Sequence, residues 1–279
     1  MHANGPLRRV LVLAALLVSP HVSADPPKKP APPRGAAVTV SPDVAKKLKS
    51  DDPAEVQSAL DEVRIAGPAA SHLATDIAAI LDRGASRALT EAALETLGDL
   101  EAESAAPAVA HYGVHRDVKL RRLAMQTLGR LRGPVAVKAL RARLHDADGM
   151  VRGTAASALG AMKAKEALPD LFIAFDHKVA EAAASIGQLC LPKDCDDFAG
   201  RLGRQPFEVM TGGFDQILFR PTGEVPEDVK VKVIGRIREL GTPEANKFLR
   251  DVQKRLKAAS PRLKQAIEQA IAATAGGAS

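Results

Sequence analysis

The chain is 279 residues long, with 39 Lys and Arg against 33 Asp and Glu and a net charge of +6 at pH 7. So small an excess over so long a chain does not by itself indicate nucleic-acid binding, and we expect no nucleic-acid partner. Aromatic residues make up only 3%, with no Trp and one Tyr, so the core must be built from Ala, Leu, Val and Ile, which suits closely packed helices.

Residues 1–24 have the pattern of a secretory signal peptide. Arg8 and Arg9 precede an apolar run at residues 10–18, and small residues follow at 22–24 for cleavage. The run is about half the roughly 20 residues that a transmembrane helix requires. We therefore expect an exported protein, periplasmic or secreted, with no stable membrane insertion after cleavage. A membrane anchor is the minor alternative.

Residues 25–40 are predicted to be a Pro-rich linker. Pro lacks an amide donor and pushes the preceding residue toward an extended conformation, so a helix cannot form here. The segment is typical of a tether that spaces a folded part from its surroundings.

From residue 41 onward, helix signals recur and one unit is written twice. Residues 117–129 are matched by residues 148–160, with each position 31 residues further on. In each copy, apolar residues recur at helical spacing, a Gly ends the helix and a Pro begins the next one. This pattern predicts two antiparallel helices. Such a pair cannot cover its own apolar faces, so neighbouring copies must cover them in a stacked array.

A dipeptide of Leu or Ile with Gly marks the period in further copies. It occurs at residues 97–98, 128–129, 159–160 and 186–187. The last step is 27 residues rather than 31, which predicts a shortened turn near Asp176.

The repeated pattern is Asp-x-x-Val-Arg-x-x-Ala-x-x-Ala-Leu-Gly, complete at Asp148, Val151, Arg152, Ala155, Ala158, Leu159 and Gly160. It resembles HEAT repeats, in particular the short bacterial HEAT-like repeats first noted in phycobilin lyases, most strongly over residues 86–189. The resemblance implies an all-α, right-handed α-solenoid of about six helix pairs. It also implies a structural bond between Arg152 and Asp146; the preceding copy has Arg121 but His115 in place of the Asp.

The domain boundaries follow from the strength of the repeats. We expect HEAT-like repeats over residues 41–193 and C-terminal HEAT-like helices over 227–274, with a disordered tail at 275–279. Between them, residues 194–226 are predicted to be an irregular Phe-rich insertion or a modified repeat. Its four Phe residues are expected to fill the core where the repeat is broken, and an exposed binding surface is the alternative.

The second helix of each pair is predicted to line the concave face and to bind a partner protein or peptide there. With Leu120, Ala124 and Leu128 buried, the opposite face carries polar side chains. The same face in neighbouring copies gives the full set of partner-binding candidates: Glu91, Glu95, Asp99, Lys119, Arg122, Gln126, Arg130 and Ser157. The alternative is that these are solvated side chains without a partner.

Cys190 and Cys195 are the only cysteines in the chain. In an exported protein they are expected to form a structural disulfide, because a redox-active pair usually has two intervening residues and this pair has four. Free thiols are the alternative.

No catalytic, metal or cofactor motif is found in the sequence. His111 and His115 lie one helical turn apart, but no third ligand joins them at a diagnostic spacing, and no nucleophile elbow, phosphate loop or dinucleotide motif occurs. We therefore predict a non-catalytic protein-protein interaction scaffold of the cell envelope without a cofactor. The alternative is an enzyme on a HEAT-like solenoid, of the lyase or glycosylase kind, since the resemblance implies a fold that can also host chemistry.

Overall fold

The computed structural model of the protein describes residues 40–275. The predicted signal peptide, the linker up to residue 39 and the last four residues lie outside this range. Within it, the structure is helical apart from turns and one isolated bridge between Leu202 and Gln205. None of the described helices is long and apolar enough to cross a membrane.

The described residues form fifteen α-helices: α1 (Val44–Lys47), α2 (Pro53–Ala66), α3 (Ala74–Asp82), α4 (Arg87–Leu100), α5 (Ala106–Tyr112), α6 (Val118–Leu131), α7 (Gly133–Arg143), α8 (Gly149–Ala161), α9 (Leu168–Asp176), α10 (Ala182–Leu189), α11 (Pro192–Ala199), α12 (Phe207–Phe219), α13 (Glu227–Glu239), α14 (Pro243–Arg255) and α15 (Pro261–Ala275). Short 3-10 helices precede α3, α5 and α9: Gly67–Leu73, Glu103–Ala105 and Lys165–Ala167.

The helices form two parallel rows, which confirms the predicted all-α solenoid. One row, here the second-helix row, consists of the even-numbered helices from α2 to α14, each packed on the next. The odd-numbered helices lie on the other side, where α3 packs on α5, α5 on α7 and α11 on α13, and α15 ends the stack by covering both α13 and α14. The array therefore contains seven helix pairs and a final helix in the described range, against the six or so expected, because the single turn α1 completes a first pair with α2.

Sequence features at the helix ends account for these elements. Asp52, Asp117 and Asp148 have extended backbones, and each side chain accepts a hydrogen bond from an amide in the first turn of α2, α6 and α8, respectively. Pro occupies the first turn of several helices, where its missing amide donor costs nothing.

The repeated Leu-Gly dipeptides lie where successive second helices touch. Leu97, Leu128 and Leu159 are fully buried, as the period predicts. A methyl group added at Gly129 would lie 2.9 Å from the side chain of Ala158 in the next second helix. Gly at this position therefore allows the helix backbones to approach closely.

Residues 194–226 contribute helices to the same two rows. Phe198 of α11 and Phe214 of α12 are fully buried, with ring centroids 5.3 Å apart. Phe175 of α9 lies 5.5 Å from Phe198, and Phe248 of α14 lies 6.5 Å from Phe214. These aromatic side chains thus form a continuous cluster across the last three helix pairs, whereas Phe219 is 37% exposed and lies against the Arg255 guanidinium.

Candidate interaction surface

The exposed face of the second-helix row carries the candidate binding residues. On α6, Lys119, Arg122, Gln126 and Arg130 are exposed, while Leu120, Ala124 and Leu128 on the opposite side are buried. On the neighbouring helices, Glu91, Glu95 and Asp99 of α4 are half-buried and Ser157 of α8 is exposed.

Four of the charged residues on this face neutralise one another across three repeats. Asp99 lies between two guanidinium groups, with Oδ2 3.2 Å from Nε of Arg64 in α2 and Oδ1 2.8 Å from Nη1 of Arg130 in α6. Arg64 also binds Glu95, with Nη1 3.1 Å from Oε2. The two carboxylates of α4 and the arginines of α2 and α6 therefore form one ion-pair network.

This network lines an open cleft of about 370 Å³ between α4 and α6. The cleft gathers Glu95, Asp99, Gln126 and Arg130 from the predicted set. Glu91 lies outside it and pairs with Arg87, Nε to Oε1 2.9 Å. Lys119, Arg122 and Ser157 also lie outside the cleft, and within residues 40–275 neither of the two cations has a carboxylate partner.

Arg64 is a member of the cleft that sequence reasoning missed. It occupies the position of Glu95 and Gln126 one and two periods earlier, since 31 residues separate each from the next. The 31-residue period is hard to recognise at Arg64, because the first copy has Ala66-Gly67 where later copies have Leu-Gly.

The small residues of α8 do not form an open floor along their whole length. Met150 is 58% exposed, but Gly153 is buried beneath the carboxylate of Glu181. The small exposed residues that remain on this face of α8 are Gly149, Ser157 and Ala161.

Arg152 and Asp146 contact each other, but through the backbone of Asp146. Nη1 of Arg152 donates to the Asp146 carbonyl oxygen at 2.8 Å. The carboxylate is bound instead by Arg121 of the preceding repeat, with Nε 3.0 Å from Oδ2 and Nη2 2.9 Å from Oδ1. The bond that stitches the two repeats is therefore the bidentate pair of Arg121 and Asp146.

His115 makes two of the corresponding hydrogen bonds in the turn one repeat earlier. Its Nδ1 accepts from the amide of Asp117 at 3.0 Å, as Oδ1 of Asp146 accepts from the amide of Asp148 at 2.9 Å. Arg121 donates to the His115 carbonyl oxygen at 3.0 Å, in the manner of Arg152. The turn geometry is thus retained without a carboxylate.

The environment of Asp146 favours its charged form. Burial by itself raises the pKa of this carboxyl group, but the hydrogen bonds from Arg121 and the Asp148 amide, with the charges of Arg121 and Arg143, outweigh burial and lower the pKa. Asp176 behaves similarly, since its hydrogen bond with Arg201 lowers its pKa.

Cys190 and Cys195 are joined by a disulfide, with Cα atoms 5.3 Å apart, and both are fully buried. Cys190 ends α10 and Cys195 lies in α11. The disulfide therefore ties one helix pair to the next. In the described part of the chain, no group of three or more His, Cys, Asp or Glu is placed to hold a metal ion.

Comparisons with known proteins agree with the repeat architecture. Residues 113–191 match the HEAT repeat family. No curated protein matches the sequence significantly.

Among solved structures, the chain is similar to the complex of CpcE and CpcF of phycocyanin lyase from Nostoc sp. PCC7120. Identity is 18% and the TM-score 0.45, with 89% of this chain and 100% of that chain covered. It is also similar to a designed armadillo repeat protein in complex with a (KR)4 peptide, at 14% identity, a TM-score of 0.41 and coverage of 84% and 98%.

Proposed function

We propose that this HEAT-repeat protein is a non-catalytic scaffold that binds another protein or peptide through the exposed face of its second-helix row. The observation that carries the proposal is the cleft between α4 and α6, which takes side chains from three successive second helices. A surface assembled from successive repeats suits an extended partner better than a small molecule.

The charges of this face favour a partner with acidic groups at one end. Arg64, Glu95, Asp99 and Arg130 already form ion pairs. On the same face of α6, one and two turns before Gln126, Arg122 and Lys119 are exposed and have no carboxylate partner in the described residues. A partner lying along α6 would place its carboxylates at these two cations and its polar groups over the cleft.

We propose that the scaffold acts in the cell envelope. The signal-peptide pattern of residues 1–24 supports export. The disulfide supports it as well, because disulfides persist in oxidising compartments and are rare in the cytosol.

Crosslinking in the native envelope tests this function. A photoreactive residue in place of Gln126, which is exposed and lines the cleft, is expected to capture a defined protein. Adding K119E/R122E to that protein is expected to abolish the capture without lowering the Tm. The matched control is K138E/K165E. It makes the same change in net charge at exposed sites in α7 and in the 3-10 helix before α9, away from the second-helix row. Equal capture by the photoreactive protein with and without K119E/R122E would overturn the assignment of this face.

A further inference from the structure

The charge of the folded part is divided sharply along the chain. Residues 40–226 contain 23 Lys and Arg against 26 Asp and Glu, a net of −3, whereas residues 227–275 contain 11 against 6, a net of +5. Within the described residues, the basic excess thus lies in the segment that holds α13, α14 and α15.

The excess includes a defined stripe on α14, formed by Lys247, Arg250 and Lys254. At 100° per residue these three side chains fall within an arc of about 60°, and they extend over about 10 Å of helix. The opposite side of α14 packs in the core through Ala245, Leu249 and Val252. The stripe therefore points directly to solvent, and all three residues are exposed.

The cations of the stripe are not neutralised within the described residues. Arg250 donates only to the side-chain oxygen of Asn246, at 2.8 Å, and neither lysine has a carboxylate within ion-pair distance. By contrast, Arg255 at the end of α14 is bound by both Asp215 and Asp251. The fold thus pairs the arginine that faces α12 and leaves the adjacent stripe free.

A pocket of about 410 Å³ lies beside the stripe, between α12 and α14. Thr211 and Gly212 line it from α12, and the half-buried ring of Phe248 lines it from α14. The pair of Arg255 with Asp215 and Asp251 closes its far end, where the guanidinium carbon also lies 4.5 Å from the ring centroid of Phe219.

We propose that α14 docks an acidic amphipathic segment of a partner protein, with carboxylates on the stripe and one apolar side chain in the pocket beside Phe248. The stripe supplies charge complementarity, and the pocket provides the apolar anchor that a purely anionic ligand would not use. This surface lies toward the opposite end of the second-helix row from the α4–α6 cleft. It is therefore a second binding surface, separate from the one in the proposed function.

Fluorescence anisotropy with two synthetic peptides tests the proposal on the folded protein. The first peptide carries Glu at helical spacing around a central Phe, and the second replaces that Phe by Ser. We expect the first to bind at low salt, the second to bind about tenfold more weakly, and both to be released as salt rises.

Two variants report on the two halves of the surface. K247E/K254E is expected to weaken binding of the first peptide at least about tenfold. T211L is expected to weaken it by filling the pocket, which Thr211 lines from a half-buried position on α12. Within residues 40–275 the Thr211 hydroxyl donates only to the Glu208 carbonyl oxygen of its own helix, so the fold should accept the substitution, and an unchanged Tm checks this. The control K232E/K264E makes the same charge change at exposed positions on α13 and α15 and should retain binding. K119E/R122E, which changes the α6 face, should also bind the peptide as tightly as the wild type.

Three results would overturn the proposal. They are equal binding of the Phe and Ser peptides, equal losses in K247E/K254E and K232E/K264E, or tighter binding to phosphatidylglycerol vesicles than to the peptide. The last result would assign the stripe to an anionic lipid surface.

Discussion

Arg121 binds both carboxylate oxygens of Asp146 across the boundary between two repeats. The Asp146 side chain is only 4% exposed and that of Arg121 13% exposed. Because the pair is well shielded and bidentate, it holds α6 and α8 in register more firmly than a solvent-exposed ion pair could.

Removing the carboxylate should therefore destabilise the protein. D146A leaves the Arg121 guanidinium without its anion, and we expect a loss of about 2–3 kcal/mol in the free energy of unfolding by urea denaturation. The matched control is D170A, whose partner Arg141 is 42% exposed, and it should cost about 0.5 kcal/mol or less. Equal losses in the two variants would contradict the special role of the shielded pair.

The same pair predicts how stability changes with acid. The folded state lowers the pKa of Asp146 below its usual range, and an unfolded Asp titrates near about 3.9. The stabilisation is therefore complete above that pH and is lost as the pH falls through the lower pKa of the folded state. Urea denaturation of the wild type and D146A from neutral to acidic pH should show the difference between them shrinking only below about pH 4.

Replacing Gly by Ala should destabilise the protein where two second helices touch and should stabilise it at an open position. A methyl group at Gly187 of α10 would overlap the Gly213 backbone oxygen and lie 2.9 Å from the Gln216 side chain in α12. We expect G187A to destabilise the protein by about 1–3 kcal/mol. Around Gly235 of α13 nothing lies within 4 Å of the added methyl, so G235A should stabilise by about 0.5–1 kcal/mol through helix propensity. Thermal denaturation of both variants checks the contrast, and a stabilised G187A would refute the close contact.

The buried disulfide should resist reduction until the protein unfolds. Both sulfurs are inaccessible in the folded chain, so iodoacetamide labelling in the presence of dithiothreitol should be slow in buffer and fast in urea. Replacing both cysteines by Ala should cost about 2 kcal/mol, a value suited to so short a loop. Fast labelling under native conditions would show instead that the junction of α10 and α11 opens locally.

The repeat architecture could be predicted because the same contact recurs at a constant spacing. Leu97, Leu128 and Leu159 are 31 residues apart and all fully buried, so the period in the sequence alone predicts stacked second helices. The bidentate partner of Asp146 could not be predicted in the same way. It depends on the distance between two repeats, and the aligned position one period earlier, His115, has no carboxylate.

The candidate binding face was predictable only in part. Helical periodicity places Lys119, Arg122 and Arg130 on an exposed face, but it does not show that Arg130 is already paired with Asp99. Arg64 and the α14 stripe escaped notice because the first and last copies depart from the repeat pattern. Terminal repeats face solvent on one side, so their sequences follow the shared pattern less closely.

The chain of phenylalanine contacts from Phe175 to Phe248 adds aromatic surface at both boundaries between the last three helix pairs. Repeats before α9 can fray one at a time, since each packs mainly on its immediate neighbours. From α9 to α14, losing one pair strips aromatic surface from the others, so this half should open as one cooperative block. Hydrogen exchange would then give a single opening free energy for the amides of α10, α12 and α14, and different opening free energies for α4, α6 and α8.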